Sequence, residues 1–237
     1  MKRKYLLFLL PVLFLFSREN RVQKIEWDSN EYVPAQNTLA DDQMNIAYPV
    51  ANGKSLADSV NHHVVRTLTT LIGYPGGDVS ASVDSLLAER FDNEYTSHIP
   101  YSVNTDWQTD QFGKVLSVRL STYIFSGGAH GLSMETYLNF DMRNGRLLGL
   151  SDMISDTATL VGLNREAFLE SHSDLSGMLF IPVDELPLPE NFFIDESGFN
   201  AYYNSYEIGP YSIGGNGYVI PLEIVARTLN PEYFPQE

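Results

Sequence analysis

The chain reads as an α+β protein: a mostly antiparallel sheet with helices packed on it, in two sub-structures sharing one core. Three observations predict this. Long stretches of strict two-residue alternation occupy the middle of the chain. Apolar residues recur at helical spacing in separate windows before and after them. Glycine-bearing turn signals join neighbouring strand segments, which favours hairpins and hence antiparallel pairing. A hydrophobic fraction of 43%, with 14 Tyr and 13 Phe in 237 residues, supplies enough apolar surface for a folded body.

The first residues are of another kind. Lys2, Arg3 and Lys4 precede the unbroken run YLLFLLPVLFLF, a basic region before an apolar one that is short of the roughly 20 residues of a membrane span. Residues 1–17 are therefore expected to act as a signal peptide, or as an N-terminal membrane anchor where they are retained. The protein is expected to be exported to the periplasm or cell surface. Residues 18–44 are polar and read as a tether, with one edge strand around 22–27.

The body divides into 45–110 and 111–237. Residues 45–50 suggest a strand that Pro49 demotes to an edge. Ser55 opens a helix carrying Leu56, Val60, Val64, Leu68 and Leu71 on one face, and Gly73 closes it. A second helix is expected over 80–95, using Val83, Leu87 and Phe91.

Residues 100–110 read as a strand. In KVLSVRLSTYIF (114–125), Leu116, Val118, Leu120, Thr122 and Ile124 share one face, while Val115, Ser117, Arg119, Ser121 and Tyr123 share the other. Met134, Thr136, Leu138, Phe140 and Met142 alternate likewise. Between these runs lies FSGGAHGLS (125–133), most simply a hairpin whose glycines meet φ > 0. Asn144-Gly145 then marks a further turn into 147–150.

A helix over 157–171 uses Leu160, Leu163 and Phe168. The segment 181–190 is punctuated by proline and extended. Strands are expected over 191–195 and 199–206, about a turn at Ser197-Gly198. A loop rich in Gly and Tyr (206–217), a short strand (219–221) and a helical turn (223–229) complete the chain.

Ser126 and His130 are close in sequence, but no G-x-S-x-G elbow surrounds the serine. His62 and His63 are adjacent on a helix and diverge by about 100°, so they cannot share an ion. No H-E-x-x-H, calcium loop or phosphate-binding glycine pattern occurs, and there is no cysteine. Neither a metal nor a cofactor is expected. The formal charge is −15; without residues 1–17, which hold three basic and no acidic side chains, it is −15 − 3 = −18. That field repels nucleic acid and suits a cationic partner.

Two stretches together resemble a known family. YIFSGGAHGLSMETYLNFDMRNGRLLGLSDMI carries a GGAHG and an N-F-D signature, and NFFIDESGFNAYYNSYEIGPYSIGGNGYVIPLEIV resembles a Y-E-I-A-P-Y signature. Both are similar to the extracytoplasmic domain of RsiV-type anti-sigma factors and related bacterial envelope domains. The likeness runs from about residue 45 to 225. It implies a domain outside the membrane that is not itself catalytic and that binds lysozyme in the RsiV type, or accompanies peptidoglycan deacetylase domains elsewhere. Only Met1–Lys4 precede the apolar run, so the anti-sigma role is not carried over. Gly209 replaces the usual Ala, and 199–201 is more polar than the family pattern.

The expected function is thus an envelope binding domain for a lysozyme-like cationic protein or a cell-wall glycan. The expected contact residues are Tyr206, Glu207, Pro210, Tyr211 and His130. The alternatives are a cell-wall hydrolase using His130 or Glu207, and a structural envelope protein without ligand.

Overall fold

In chain order, β1 (Glu26–Tyr32), β2 (Gln43–Asn52), β3 (Ser102–Phe112), β4 (Val115–Phe125), β5 (Leu132–Asp141) and β6 (Leu147–Leu148) lie side by side in one sheet. This computed structural model describes residues 25–32, 42–53 and 55–234. The signal or anchor expected at 1–17 and most of the tether expected at 18–44 lie outside those residues. Among the described residues no helix is long and apolar enough to cross a membrane.

All neighbouring pairs are antiparallel except β2 and β3, which run parallel over Gln43–Ile46 and Ser102–Thr105. A parallel neighbour needs a long crossover. Helices α1 (Ser55–Ile72) and α2 (Val79–Asp92) provide it. Asp78 starts α2 by accepting a hydrogen bond from the Ala81 backbone N–H at 2.7 Å. The helix ends at Asp92, three residues before the expected end.

The sheet's two faces follow the alternation. Val103, Leu116, Val118, Leu120 and Phe140 are buried with Leu56, Val60, Val64, Leu68 and Ile72 of α1. Ile72, not Leu71, completes the helical stripe. Pro49 is not on an edge strand: β1 covers β2 on one side, so β1 is the edge. Pro49 is tolerated because β2 pairs with β3 only as far as Ile46, which leaves its missing N–H outside that ladder.

The opposite face supports the second sub-structure. Strands β7 (Asn191–Asp195), β8 (Gly198–Tyr203) and β9 (Asn216–Pro221) form an antiparallel sheet, with α3 (Leu150–Met153), α4 (Thr157–Ser171) and α5 (Leu222–Val225) around it. Phe192, Phe199, Tyr203 and Tyr218 are buried here with Leu160 and Phe168 of α4 and Val115 of β4. Successive residues Val115 and Leu116 thus belong to different apolar clusters. The six-stranded sheet contributes to both clusters, Val115 to one and Leu116 to the other.

Strand β8 stops at Tyr203, short of the expected residue 206. Beyond it the Asn204 side chain bonds β5 and Tyr206 takes φ +73°, which no strand accommodates.

Candidate functional site

The β4–β5 hairpin turns through FSGGAHGLS. Gly127 and Gly128 each sit at φ +96°, as a left-handed corner requires. A Cβ on Gly127 would stand 2.7 Å from Ile99 Cγ2, so the corner also packs tightly on the loop before β3. A Cβ on Gly131 would stand 2.4 Å from the Tyr123 ring, which covers this glycine.

The loop after β8 folds onto that hairpin. Asn204 acts as a surrogate strand residue: its Oδ1 accepts from the Glu135 N–H at 2.7 Å and its Nδ2 donates to the Glu135 carbonyl at 3.0 Å. Both backbone groups of a half-buried strand are thereby satisfied by one amide. Pro210 leads into a single 3₁₀ turn, Tyr211–Ile213. Tyr211 then donates its phenol to the Gly131 carbonyl at 3.0 Å. His130 Nδ1 contacts the same carbonyl at 3.1 Å, and its ring stacks on Tyr211 with centroids 3.6 Å apart. Tyr206 flanks Tyr211 at 5.7 Å. Glu207 Oε1 accepts from Asn204 at 3.2 Å and Asn191 at 3.4 Å, and the residue stays exposed.

All five residues expected from the sequence therefore meet at one mouth. Others join them that the sequence did not single out. Phe180 is 63% exposed and donates its N–H to the Ile208 carbonyl at 2.9 Å; Met178 is 43% exposed, its carbonyl packed on Gly209. Of the nine large apolar side chains exposed among the described residues, Tyr206 stands on Tyr211 and Tyr123 covers Gly131, while Met178 and Phe180 belong to the segment whose backbone meets Ile208 and Gly209. Scattered apolar residues are ordinary on a surface, whereas a contiguous group marks an interaction face. Phe180 and Met178 lie in a stretch without periodicity, so no pattern announces them. A Cβ on Gly209 would meet Ile213 Cδ1 at 2.4 Å, so an alanine there would require the Ile213 side chain to turn aside.

Behind the mouth runs a polar seam between the two sheets. Arg119 Nε donates to Glu135 Oε2 at 2.7 Å, and Ser121 Oγ donates to the same oxygen at 2.8 Å. The bond to Glu135 raises the Arg119 guanidinium above its ordinary range. Tyr137 stacks on Phe193 of β7 at 5.2 Å, and burial pushes its phenol up to about 12. Asn139 accepts from Ser117 at 2.7 Å and donates to the Phe192 carbonyl at 2.9 Å, tying the sheets together. The polar face of β4 was legible in the alternation; its partners on β5 and β7 were not.

The serine–histidine arrangement does not form. Ser126 lines a separate hollow with Tyr74, Leu86 and Tyr101, while the His130 ring is stacked on Tyr211. His62 and His63 lie edge to face at 5.4 Å. Among the described residues no group of three or more His, Asp or Glu is placed to hold a metal ion.

Comparison with known proteins agrees with this architecture. Residues 37–133 match the family model described as Deacetylase PdaC, and residues 166–223 match that described as Protein of unknown function (DUF3298). A DUF3298-family crystal structure from Bacteroides fragilis superposes with a TM-score of 0.65 at 24% identity, covering 88% of this chain and 96% of that one. Another from Pseudomonas aeruginosa gives 0.62 at 17% identity, covering 90% and 96%. No curated protein matches the chain. The hairpin with GGAHG falls at the end of the first matched segment and the YEIGPY loop inside the second, so the mouth is built where the two meet. Residues 37–133 are thus similar to the PdaC model and residues 166–223 to the DUF3298 model, and the chain shares the fold of the DUF3298-family structures.

Proposed function

We propose that this mouth is the binding face of an exported envelope domain that recognises a cationic, cell-wall-associated protein of the lysozyme type and performs no chemistry itself. The observation that supports it most is the joining of two motif loops, through His130 on Tyr211, into one exposed aromatic surface. Tyr combines apolar area with a polar tip at low entropy cost, the composition of interface anchors. Glu207 at the rim and a formal chain charge of −15 favour a positively charged partner. The basic and apolar N-terminal segment supports an extracytoplasmic address.

Titration calorimetry of the purified protein with hen-type lysozyme at low salt tests the reading. Saturable binding that weakens as salt rises, and that falls by about 2 kcal/mol in Tyr206→Ala or Phe180→Ala, is expected. Absence of binding at tens of micromolar removes the lysozyme version.

A further inference from the structure

A cleft of about 190 Å³ opens between β3, β4 and β7, lined by Gln108, Asp110, Arg119, Tyr137, Phe193 and Asp195 among others. It lies on the same face of β4 as the mouth but six residues away, Ser117 against Tyr123, roughly 20 Å along the strand at about 3.3 Å per residue. It is smaller than the roughly 300–1,000 Å³ of sites for drug-sized ligands, so a side-chain-sized group is what it can enclose.

The lining is chemically uneven. One wall is aromatic, the stacked pair Tyr137 and Phe193, 5.2 Å between centroids. Arg119 is already engaged by Glu135 at 2.7 Å and by Gln108 at 3.4 Å. Asp195 is held by its own turn, accepting from Ser197 N at 2.8 Å and Asn200 Nδ2 at 2.9 Å. Asp110 differs: burial first, and then the negative charges of Asp195 and Glu196, hold its carboxyl above the usual range. An anion entering the cleft would meet those carboxylates. A wholly apolar group would strip water from Asp110 and Gln108 without replacing it. A cation on an aliphatic stem satisfies the carboxylate and the aromatic wall together.

We propose that this cleft is a second binding site, taking the ammonium head of a lysine-type side chain at Asp110 with its stem against Phe193 and Tyr137. The site is independent of the reading of the mouth, and its test does not involve the mouth's partner.

The test is a heteronuclear NMR titration of the full chain with Nα-acetyl-lysine amide, with Nα,Nε-diacetyl-lysine amide as the uncharged control. Saturable shifts at residues lining the cleft, with a Kd in the millimolar range, are expected. The control should bind at least about tenfold more weakly, a difference of about 1.4 kcal/mol. Asp110→Asn and Phe193→Leu should each weaken binding several-fold, whereas Glu207→Gln at the mouth should leave it unchanged. Equal binding of both probes, binding that survives Asp110→Asn, shifts confined to the mouth, or no saturable shift would each overturn the proposal.

Discussion

The imidazole of His130 lies on the ring of Tyr211, 3.6 Å between centroids and 12° from parallel, and both side chains reach the carbonyl of Gly131. This contact closes the mouth by joining a hairpin to a loop 80 residues further along the chain, counted from Gly131 to Tyr211. Tyr211→Phe keeps the stack and removes the phenol, so it should cost about 1 kcal/mol. Tyr211→Ala removes the stack and the buried ring area as well and should cost about 2–4 kcal/mol. Urea denaturation of the two variants measures both. Equal losses would mean that the stack contributes nothing.

Gly198 and Gly128 both take positive φ, at +136° and +96°, yet their surroundings differ. A Cβ on Gly198 would stand 2.0 Å from the Ile220 carbonyl oxygen, whereas one on Gly128 would meet nothing within 4 Å. Gly198→Ala must push β8 from β9 and should cost about 4 kcal/mol or more, while Gly128→Ala carries only the backbone strain, about 1 kcal/mol. Thermal melts of the two variants give the comparison; similar losses would contradict it.

Asn164 is fully buried in α4 and links two tyrosines, donating to Tyr203 Oη at 3.0 Å and accepting from Tyr218 Oη at 2.6 Å. Tyr203 also donates to the Pro187 carbonyl. Asn164→Ala leaves Tyr203 its bond to Pro187 but takes away the Asn164 acceptor of the buried Tyr218 phenol, and a loss of about 2–3 kcal/mol is expected. A near-neutral result in chemical denaturation would show that the tyrosines find other partners.

Acid should weaken the fold through identifiable carboxylates. Burial alone would raise Asp141, but hydrogen bonds from Arg143 and Asn144 outweigh it and hold the carboxyl below its ordinary 3.8. Asp152 is lowered first by the Gly149 N–H and then by Arg146. For Asp195, burial is again outweighed, by Ser197, Asn200 and Gly198. A carboxyl depressed on folding stabilises the native state in full above its unfolded value, and that contribution disappears as pH falls through the folded value. Stability should therefore hold from neutrality to about pH 4 and decline below it. Asp141→Asn should lower the neutral-pH urea midpoint and flatten the decline; an unchanged acid limb would assign it to other groups.

Much of the architecture was legible along the chain. The alternation of β4 and β5 and the helical stripe of α1 are short-range patterns, and a two-residue or 3.6-residue period assigns each side chain to a face whatever lies opposite. The same alternation set Ser117, Arg119 and Ser121 on the face of β4 opposite Leu116, Val118 and Leu120. The left-handed corner at Gly127-Gly128 was readable because only glycine accepts that backbone without strain.

The length of β8 and the standing of β2 were not readable in that way. Whether Pro49 lies on an edge depends on β1, and whether residues 204–206 continue a strand depends on Glu135 offering its backbone to Asn204. By itself, the sequence determined the fold class, the faces of its strands and helices, and the two motif loops with their five candidate residues. Only the tertiary structure decided that those loops share one mouth, that Phe180 and Met178 extend it, and that Asp110 faces Tyr137 and Phe193 across a cleft. Local periods fix which way a side chain points, but not which distant segment it meets; that is set by how the two sheets pack on β4.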